Sequence, residues 1–500
     1  MNVHALLADA VRRRADEPAI EHGDRRLTYR AFDAACAAFG DWLAARGCRP
    51  GDRVLLFLRN GYDYPVLLMG AMRAGMVAVP VNAKLHPREV AWIAGDAGPR
   101  VVFTHAEHVD ALAAALPQAT TAEVIAIEEF DLPAPAAVPA LPAAVGPDDP
   151  AWIFYTSGTT GRPKGATLTH RNLVAASVNC LADVFDFRAT DRVLHVAPLS
   201  HGSGLYLLPA LARGAHNIIH DRAGFRPDEV FGTVAAQGVT AIAFVAPTMI
   251  VRLLEAAPRD DIGTLRGVIY GGAAIHLEHI RAAVARFGPI FHQLYGQGEA
   301  PMTISYLPGR DHQGADDETL VSAGYVRAGV EVRIRDEHDR DVPDGAEGEI
   351  CVRGDVVMAG YWRNPEATAR ALAGGWLHTG DIGRFDSGGR LRVLDRRHDT
   401  IISGGTNIYP KEIEDVLAAH PAVREVVAFG LPDPEWGESV AVAVVADDPA
   451  LDEAALLAFC KEHLASFKKP KHVHIVPDLP KNAYGKVLRR DLRERFGRQA

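Results

Sequence analysis

The residue order predicts an α/β protein: a large N-terminal region of two α/β sheet units plus a β-rich unit, with a small α+β C-terminal domain. Three observations carry this. Short apolar segments such as Arg53-Val54-Leu55-Leu56-Phe57-Leu58 and Arg100-Val101-Val102-Phe103-Thr104 alternate with longer alanine-rich stretches at helical spacing, the pattern of parallel strands covered by helices. Strand-like runs then lead repeatedly into loops rich in glycine and proline. Near the end, valine-rich pieces separated by turns (Arg333 to Asp341, Gly348 to Arg353, Gly389 to Val393) point to the β-rich unit, and a tail of ordinary domain size follows Asp395-Arg396-Arg397-His398-Asp399.

Along the chain, six prolines between 131 and 150 (Pro133, Pro135, Pro139, Pro142, Pro147, Pro150) predict an extended surface connector between the two sheet units. Ala151-Trp152-Ile153-Phe154 then reads as a buried strand. After it, Tyr155-Thr156-Ser157-Gly158-Thr159-Thr160-Gly161-Arg162-Pro163-Lys164-Gly165 is a loop dense in glycine and hydroxyl groups that ends in one cation. Small residues admit the backbone to an anion, hydroxyl and N–H groups donate to it, and Lys164 supplies compact positive charge, so the loop reads as a phosphate site. The carboxyl end of a strand is where open α/β sheets bind ligands. A Walker loop does not fit, because Pro163 stands five residues after Gly158 and Lys164 is followed by glycine; nor does G-x-G-x-x-G. That removes kinases and P-loop ATPases. The strand-then-loop pattern recurs as Val193 to Ala197 runs into Pro198-Leu199-Ser200-His201-Gly202, Thr240 to Val245 into Ala246-Pro247, Gly267 to Tyr270 into Gly271-Gly272, and Ile290 to Leu294 into Tyr295-Gly296-Gln297-Gly298-Glu299. Several loops thus converge at one sheet edge.

Composition bounds the function. A chain of 500 residues, 48% hydrophobic and 23% charged, is a soluble globular protein with room for two or three cores. Its formal charge of −10 argues against a nucleic acid partner. Five cysteines, odd in number and without C-x-x-C spacing, suggest neither a disulfide framework nor a zinc site and fit a reducing cytoplasm. The longest apolar stretch, Pro65 to Val81, is broken by Gly70, Arg73 and Gly75, so no membrane span is expected. His216 and His220 lack a third ligand at recognisable spacing and read as structural.

Taken together, the motifs resemble the adenylate-forming superfamily of acyl-CoA synthetases, luciferases and nonribosomal adenylation domains, and within it the acyl-CoA synthetase branch. They stand in the family's order: Leu27-Thr28-Tyr29, the 155–165 loop, Pro198-Leu199-Ser200-His201, Tyr295-Gly296-Gln297-Gly298-Glu299, Thr379-Gly380-Asp381, Asp395-Arg396-Arg397-His398-Asp399, Ser403-Gly404-Gly405-Thr406-Asn407-Ile408-Tyr409-Pro410, and Pro480-Lys481-Asn482-Ala483-Tyr484-Gly485-Lys486. The resemblance implies an AMP-binding domain over residues 1–394, a hinge at 395–399 and a mobile C-terminal domain over 400–500. It implies a two-step reaction with ATP, Mg²⁺ and coenzyme A: a carboxylate attacks the α-phosphorus to give acyl-adenylate and pyrophosphate, then a thiol takes the acyl group. Both steps develop negative charge on oxygen that fixed cations and donors stabilise. A cytoplasmic enzyme is expected, with a homodimer left open.

The same resemblance assigns roles. Lys486 bridges the carboxylate and the α-phosphate. Thr156, Ser157, Gly158, Thr159, Thr160, Gly161 and Lys164 clamp the departing phosphates, with Gly272, Ala273, Tyr295 and Gly296 beside the nucleotide. Asp381 accepts both ribose hydroxyls and Arg396 makes a second ribose contact. Glu299 holds Mg²⁺, with the Thr156 hydroxyl nearby. His201 stands between the acyl pocket and the thiol tunnel; Phe244, Val245, Gly271 and Met302 line that pocket; Gly404, Gly405 and Lys468 meet coenzyme A. Two departures stand out, Gly298 where the family has threonine and His398 at the hinge position.

The apolar and small lining suits an aliphatic or aromatic acid. Neither His201 to Pro209 nor Phe244 to Pro247 offers a carboxylate, so an α-amino acid would bury an unpaired ammonium. A dicarboxylic acid is disfavoured for want of an obvious second arginine. Two alternatives stay open: an acyl-AMP ligase that loads a carrier protein, and a nucleotide-binding homologue with weak catalysis.

Overall fold

A computed structural model describes the chain except residues 118–120, 137–139, 157–162, 221–223, 257–261, 397–398, 404–405, 435, 465–467, 482–486 and 498–500, and the side chains of 406–407. Four sheets organise the described residues. The first has seven strands in the order Gly360–Tyr361, Lys164–Thr169, Pro150–Thr156, Val77–Asn82, Arg53–Leu58, Val101–Thr104, Glu123–Ala126. Its middle is parallel, and Val77–Asn82 is buried along its whole length, as a strand covered on both faces must be.

The second sheet has nine strands, ordered Tyr325–Val326, Ala300–Leu307, Phe291–Gln297, Gly267–Gly271, Ala241–Val245, Arg192–His195, His216–Ile219, Pro18–His22, Arg25–Thr28. Between the two sheets runs the helix Gly202–Ala212, buried through Leu211. It starts straight after the tight turn at Ser200-His201, where a Cβ on Gly204 would stand 1.9 Å from the Leu199 carbonyl oxygen; only glycine fits.

The third, antiparallel sheet holds Val330–Arg335, Gly348–Gly354, Leu377–Phe385 and Leu391–Arg396, and the fourth gathers Thr406–Ile408, Ile401–Ser403, Gly437–Ala446, Val423–Asp433 and His472–Ile475. Among the described residues no helix is long and apolar enough to cross a membrane.

The α/β class, the β-rich unit and the α+β tail appear as expected, but three local expectations change. The proline segment does not join two sheets: it carries the chain from the edge strand Glu123–Ala126 back to Pro150–Thr156 in the same sheet. The N-terminal hairpin Pro18–Thr28 belongs to the second sheet, pairing in parallel with His216–Ile219, so the sheets exchange strands rather than follow in sequence. Tyr295-Gly296-Gln297, which read as a loop, lies within a strand, as does the motif Thr379-Gly380-Asp381. Their polar residues masked the strand pattern, and long-range pairing supplied it.

Candidate active site

Asp381 is 3% exposed and forms the centre of a polar knot between the second and third sheets. It stands opposite Arg396 in antiparallel register, and Arg396 Nε approaches its Oδ1 at 2.6 Å. Its Oδ2 accepts from Tyr295 Oη at 2.6 Å and from Gln297 Nε2 at 2.6 Å. Tyr295 and Gln297 are two apart on one strand, so both side chains leave from one face. Gln297 also donates to the Thr379 carbonyl at 2.8 Å. Burial opposes the Arg396 charge, but Asp381, Tyr295, Glu299 and Asp399 together raise its pKa. Burial, and then Asp381, push the Tyr295 phenol well above its usual range. Gln297 had no assigned role in the sequence; its signal is the i, i+2 spacing from Tyr295.

A second carboxylate lies close by. Glu299 is 9% exposed, and Tyr361 Oη donates to its Oε1 at 2.6 Å. The Lys164 ammonium sits 4.6 Å from the centre of the same Tyr361 ring, so the cation after the phosphate loop and the metal-type carboxylate share one aromatic support. Tyr361, from Gly360-Tyr361-Trp362, is a residue the sequence did not single out. Oε2 of Glu299 takes no hydrogen bond from the described residues and remains as an oxygen donor of the kind Mg²⁺ prefers.

The Gly298 departure has a packing cause. A Cβ at 298 would stand 2.5 Å from Thr156 Cγ2 and 2.8 Å from Phe154 Cδ1, so Thr156 and Phe154 fill the space a threonine would use. Gly296 is equally confined, its Cβ position lying 2.5 Å from the Met302 backbone nitrogen. Met302 itself adopts φ 57°, a left-handed conformation uncommon outside glycine.

The apolar side of the site forms around Gly202. A Cβ there would meet Met302 Cε at 2.8 Å and the Phe244 ring at 2.9 Å. Gly272, at φ +82°, brings its Cβ position to 3.5 Å from Phe244 Cζ, while Gly271 abuts the Leu294 carbonyl and Ala273 is exposed. His201 bonds through Nδ1 to Ser200 Oγ at 2.9 Å and packs edge-on against Phe154. Burial lowers its pKa to about 3. One expectation fails here: Val245 does not line this pocket. It follows Phe244 on a strand, so its side chain leaves the opposite face, into the core of Leu194, Ile218 and Val230, while Phe244 packs with Tyr206 and Ile269.

Lys486, Gly404 and Gly405, and Ser157 to Gly161 of the phosphate loop, lie outside the described residues, as does His398. Lys468, expected on the coenzyme A surface, is ion-paired with Glu412 at 2.5 Å; the lysines lining an open cleft of about 470 Å³ are Lys461, Lys469 and Lys471. His216 meets Glu21 at 3.1 Å. The C-terminal region docks on the large one through Tyr409 Oη to Glu347 Oε2 at 2.8 Å and His276 Nδ1 to Asp415 Oδ1 at 3.0 Å. Arg489 gathers Glu414, Asp399 and Asp395 around a single guanidinium. Burial, with the Glu414 charge and against Arg489, raises the Asp395 pKa to about 6.

Two α/β sheets and an antiparallel unit meeting on one polar cluster, with a small α+β unit docked beside it, form the architecture of the adenylate-forming enzymes. The chain belongs to the AMP-binding enzyme family: residues 7–362 match the family's sequence model, and residues 412–486 match that of the AMP-binding enzyme C-terminal domain. It is 40% identical over 489 residues to a feruloyl-CoA synthase of an Amycolatopsis species, covering 96% of each chain. It is 35% identical to a medium/long-chain-fatty-acid–CoA ligase of Mycobacterium tuberculosis, covering 98% of this chain and 89% of that one. In structure it matches ATP-bound MatB from Rhodopseudomonas palustris with a TM-score of 0.90, 32% identity and 99% of both chains covered.

Proposed function

We propose that this chain is an AMP-forming acid–CoA ligase that activates an aliphatic or aromatic carboxylic acid as acyl-adenylate and passes the acyl group to coenzyme A. The observation that carries the reading is the knot at Asp381, a buried two-oxygen acceptor fixed by Arg396, Tyr295 and Gln297. A carboxylate can accept about four hydrogen bonds, so ribose hydroxyls join or replace those of Tyr295 and Gln297. Lys486, by family likeness, brings its ammonium to the reacting carboxylate and α-phosphate.

Glu299 Oε2 and the Thr156 hydroxyl would hold Mg²⁺, which when bound neutralises charge on the phosphates. Tyr361 holds Glu299 in place and Lys164 meets the departing pyrophosphate. His201, neutral because it is buried, works as a wall between the acyl group and the thiol rather than as a base. The cleft with Lys461 and Lys469 offers positive charge to the phosphates of coenzyme A. Five cysteines, all buried and unpaired, suit a cytoplasmic workplace. The similarity to a feruloyl-CoA synthase and to fatty-acid ligases supports acids of those two kinds.

The test supplies ATP, Mg²⁺ and coenzyme A with a panel of aliphatic C4 to C12, benzoate-like and cinnamate-like acids, and follows AMP, pyrophosphate and thioester. Acid-dependent AMP with one equivalent of thioester is expected. Adenylate formed without any thioester would overturn the coenzyme A assignment.

A further inference from the structure

Arg327 sits in the turn between Tyr325–Val326 and Val330–Arg335 and is 2% exposed. Its Nη1 donates to the Met302 carbonyl at 2.6 Å. Nε and Nη2 have no hydrogen-bond partner among the described residues. The nearby carboxylate of Asp183 is bound to the backbone instead, accepting from Ala328 N at 2.6 Å. An arginine buried with two idle nitrogens is costly, because each lost its water without gaining an acceptor.

The position of this guanidinium gives those donors a use. It lies within reach of a side-chain hydrogen bond to the Tyr206 phenol, and its charge, felt there and at the Cys180 thiol, works against the rise that burial imposes. The Tyr206 ring stacks on Phe244, with centroids 6.4 Å apart, and Phe244 and Met302 close on Gly202 beside His201. Arg327 therefore stands behind the apolar lining, touching it through Met302. Arginine only donates, so what satisfies it is an acceptor oxygen on a ligand, and a terminal methyl group cannot.

We propose that Arg327 closes the far end of the acyl pocket and selects acids that carry a neutral acceptor oxygen remote from the activated carboxylate, as 4-hydroxyaryl and 4-alkoxyaryl acids do. The Asp183 carboxylate, whose field also reaches Cys180 and Tyr306, already balances part of the positive charge, which favours a neutral oxygen over a second carboxylate. This rests on the ligase reading above and names its substrate class.

The test compares kcat/KM for cinnamate, 4-hydroxycinnamate, 4-methoxycinnamate and 4-carboxycinnamate in the wild type, Arg327→Met and Arg327→Lys, with binding of each acid measured separately by its shift in melting temperature. In the wild type both neutral oxygenated acids are expected to exceed cinnamate by at least about tenfold, since a site built to hydrogen-bond a group rejects the analogue lacking it. Arg327→Met should bring that ratio close to one, and Arg327→Lys should keep part of it. Equal values for cinnamate and its oxygenated analogues in the wild type, an unchanged ratio in Arg327→Met, or 4-carboxycinnamate as the best substrate would each overturn the inference. These outcomes leave the ligase reading standing. Only the absence of thioester from every acid would remove that, and the wild-type and lysine arms decide the matter even if Arg327→Met does not fold.

Discussion

Asp381 and Arg396 face each other in register on neighbouring antiparallel strands and close to 2.6 Å. Arg396 is the last described residue of its strand and falls within the 395–399 segment expected to act as the hinge. The carboxylate that we assign to the ribose is thereby tied to the root of the part expected to move. Asp381→Ala should raise KM for ATP and lower stability by about 2 kcal/mol. That is below the loss for a fully buried pair because the Arg396 side chain is 35% exposed. Urea unfolding and ATP-dependent pyrophosphate exchange measure the two effects; an unchanged KM would remove Asp381 from the nucleotide site.

Gly298 is held by shape, so restoring the family's threonine should harm this chain. A new side chain would meet Thr156 and Phe154 at the distances given above, and overpacking of that kind costs about 1–3 kcal/mol. Gly298→Thr is expected to melt lower and to adenylate more slowly than the wild type. A faster and equally stable variant would show that the missing hydroxyl, not packing, limits this site.

Tyr361 is a positioning residue for Glu299. Losing its hydroxyl in Tyr361→Phe should weaken Mg²⁺ binding by about 10-fold or more, as is usual for partners of a ligating carboxylate. The readout is the Mg²⁺ concentration giving half-maximal pyrophosphate exchange. A drop in rate at saturating Mg²⁺ with no shift in that midpoint would argue against the assignment.

Two histidines and one aspartate shielded from water set opposite pH dependences. His195 and His201, lowered by burial to about 4 and about 3, stay neutral in the fold but take protons when unfolded. Their contribution is present above the ordinary histidine pKa and is lost as pH falls below it, at up to about 1.4 kcal/mol per pH unit for each. Asp395, raised to about 6, favours its protonated form in the fold; its contribution is full below the unfolded aspartate value and is lost as pH rises through about 6. Asp395→Asn should therefore be more stable than the wild type at pH 8, by about 2–3 kcal/mol, and close to it at pH 4. Chemical denaturation at the two pH values decides; an equal difference at both would mean that Asp395 does not titrate in this range.

The family and the order of its chemical parts were legible because the reaction demands particular residue types at short range: a glycine- and hydroxyl-rich loop, a Thr-Gly-Asp, a lysine after glycine. The α/β class followed from apolar periodicity, which is also local. What escaped depends on pairing between distant strands. Gln297 meets Asp381 across 84 positions of sequence, so its i, i+2 spacing from Tyr295 becomes readable only once the strand is known, and Tyr361 meets Glu299 across 62 with no nearby pattern to announce it. Val245 was misplaced because strand register, not the neighbouring Phe244, decides which face a side chain leaves. The proline segment looked like a boundary, since local composition cannot say which sheet the next strand joins.

By itself the sequence determined the class of reaction and the residue types that serve it, because local chemistry is written in local order. Only the tertiary structure decided what holds those residues in place, why position 298 is glycine, and where an arginine remote from every motif comes to rest against Met302. Those outcomes depend on which strands pair and which faces are buried, and the whole chain settles that together.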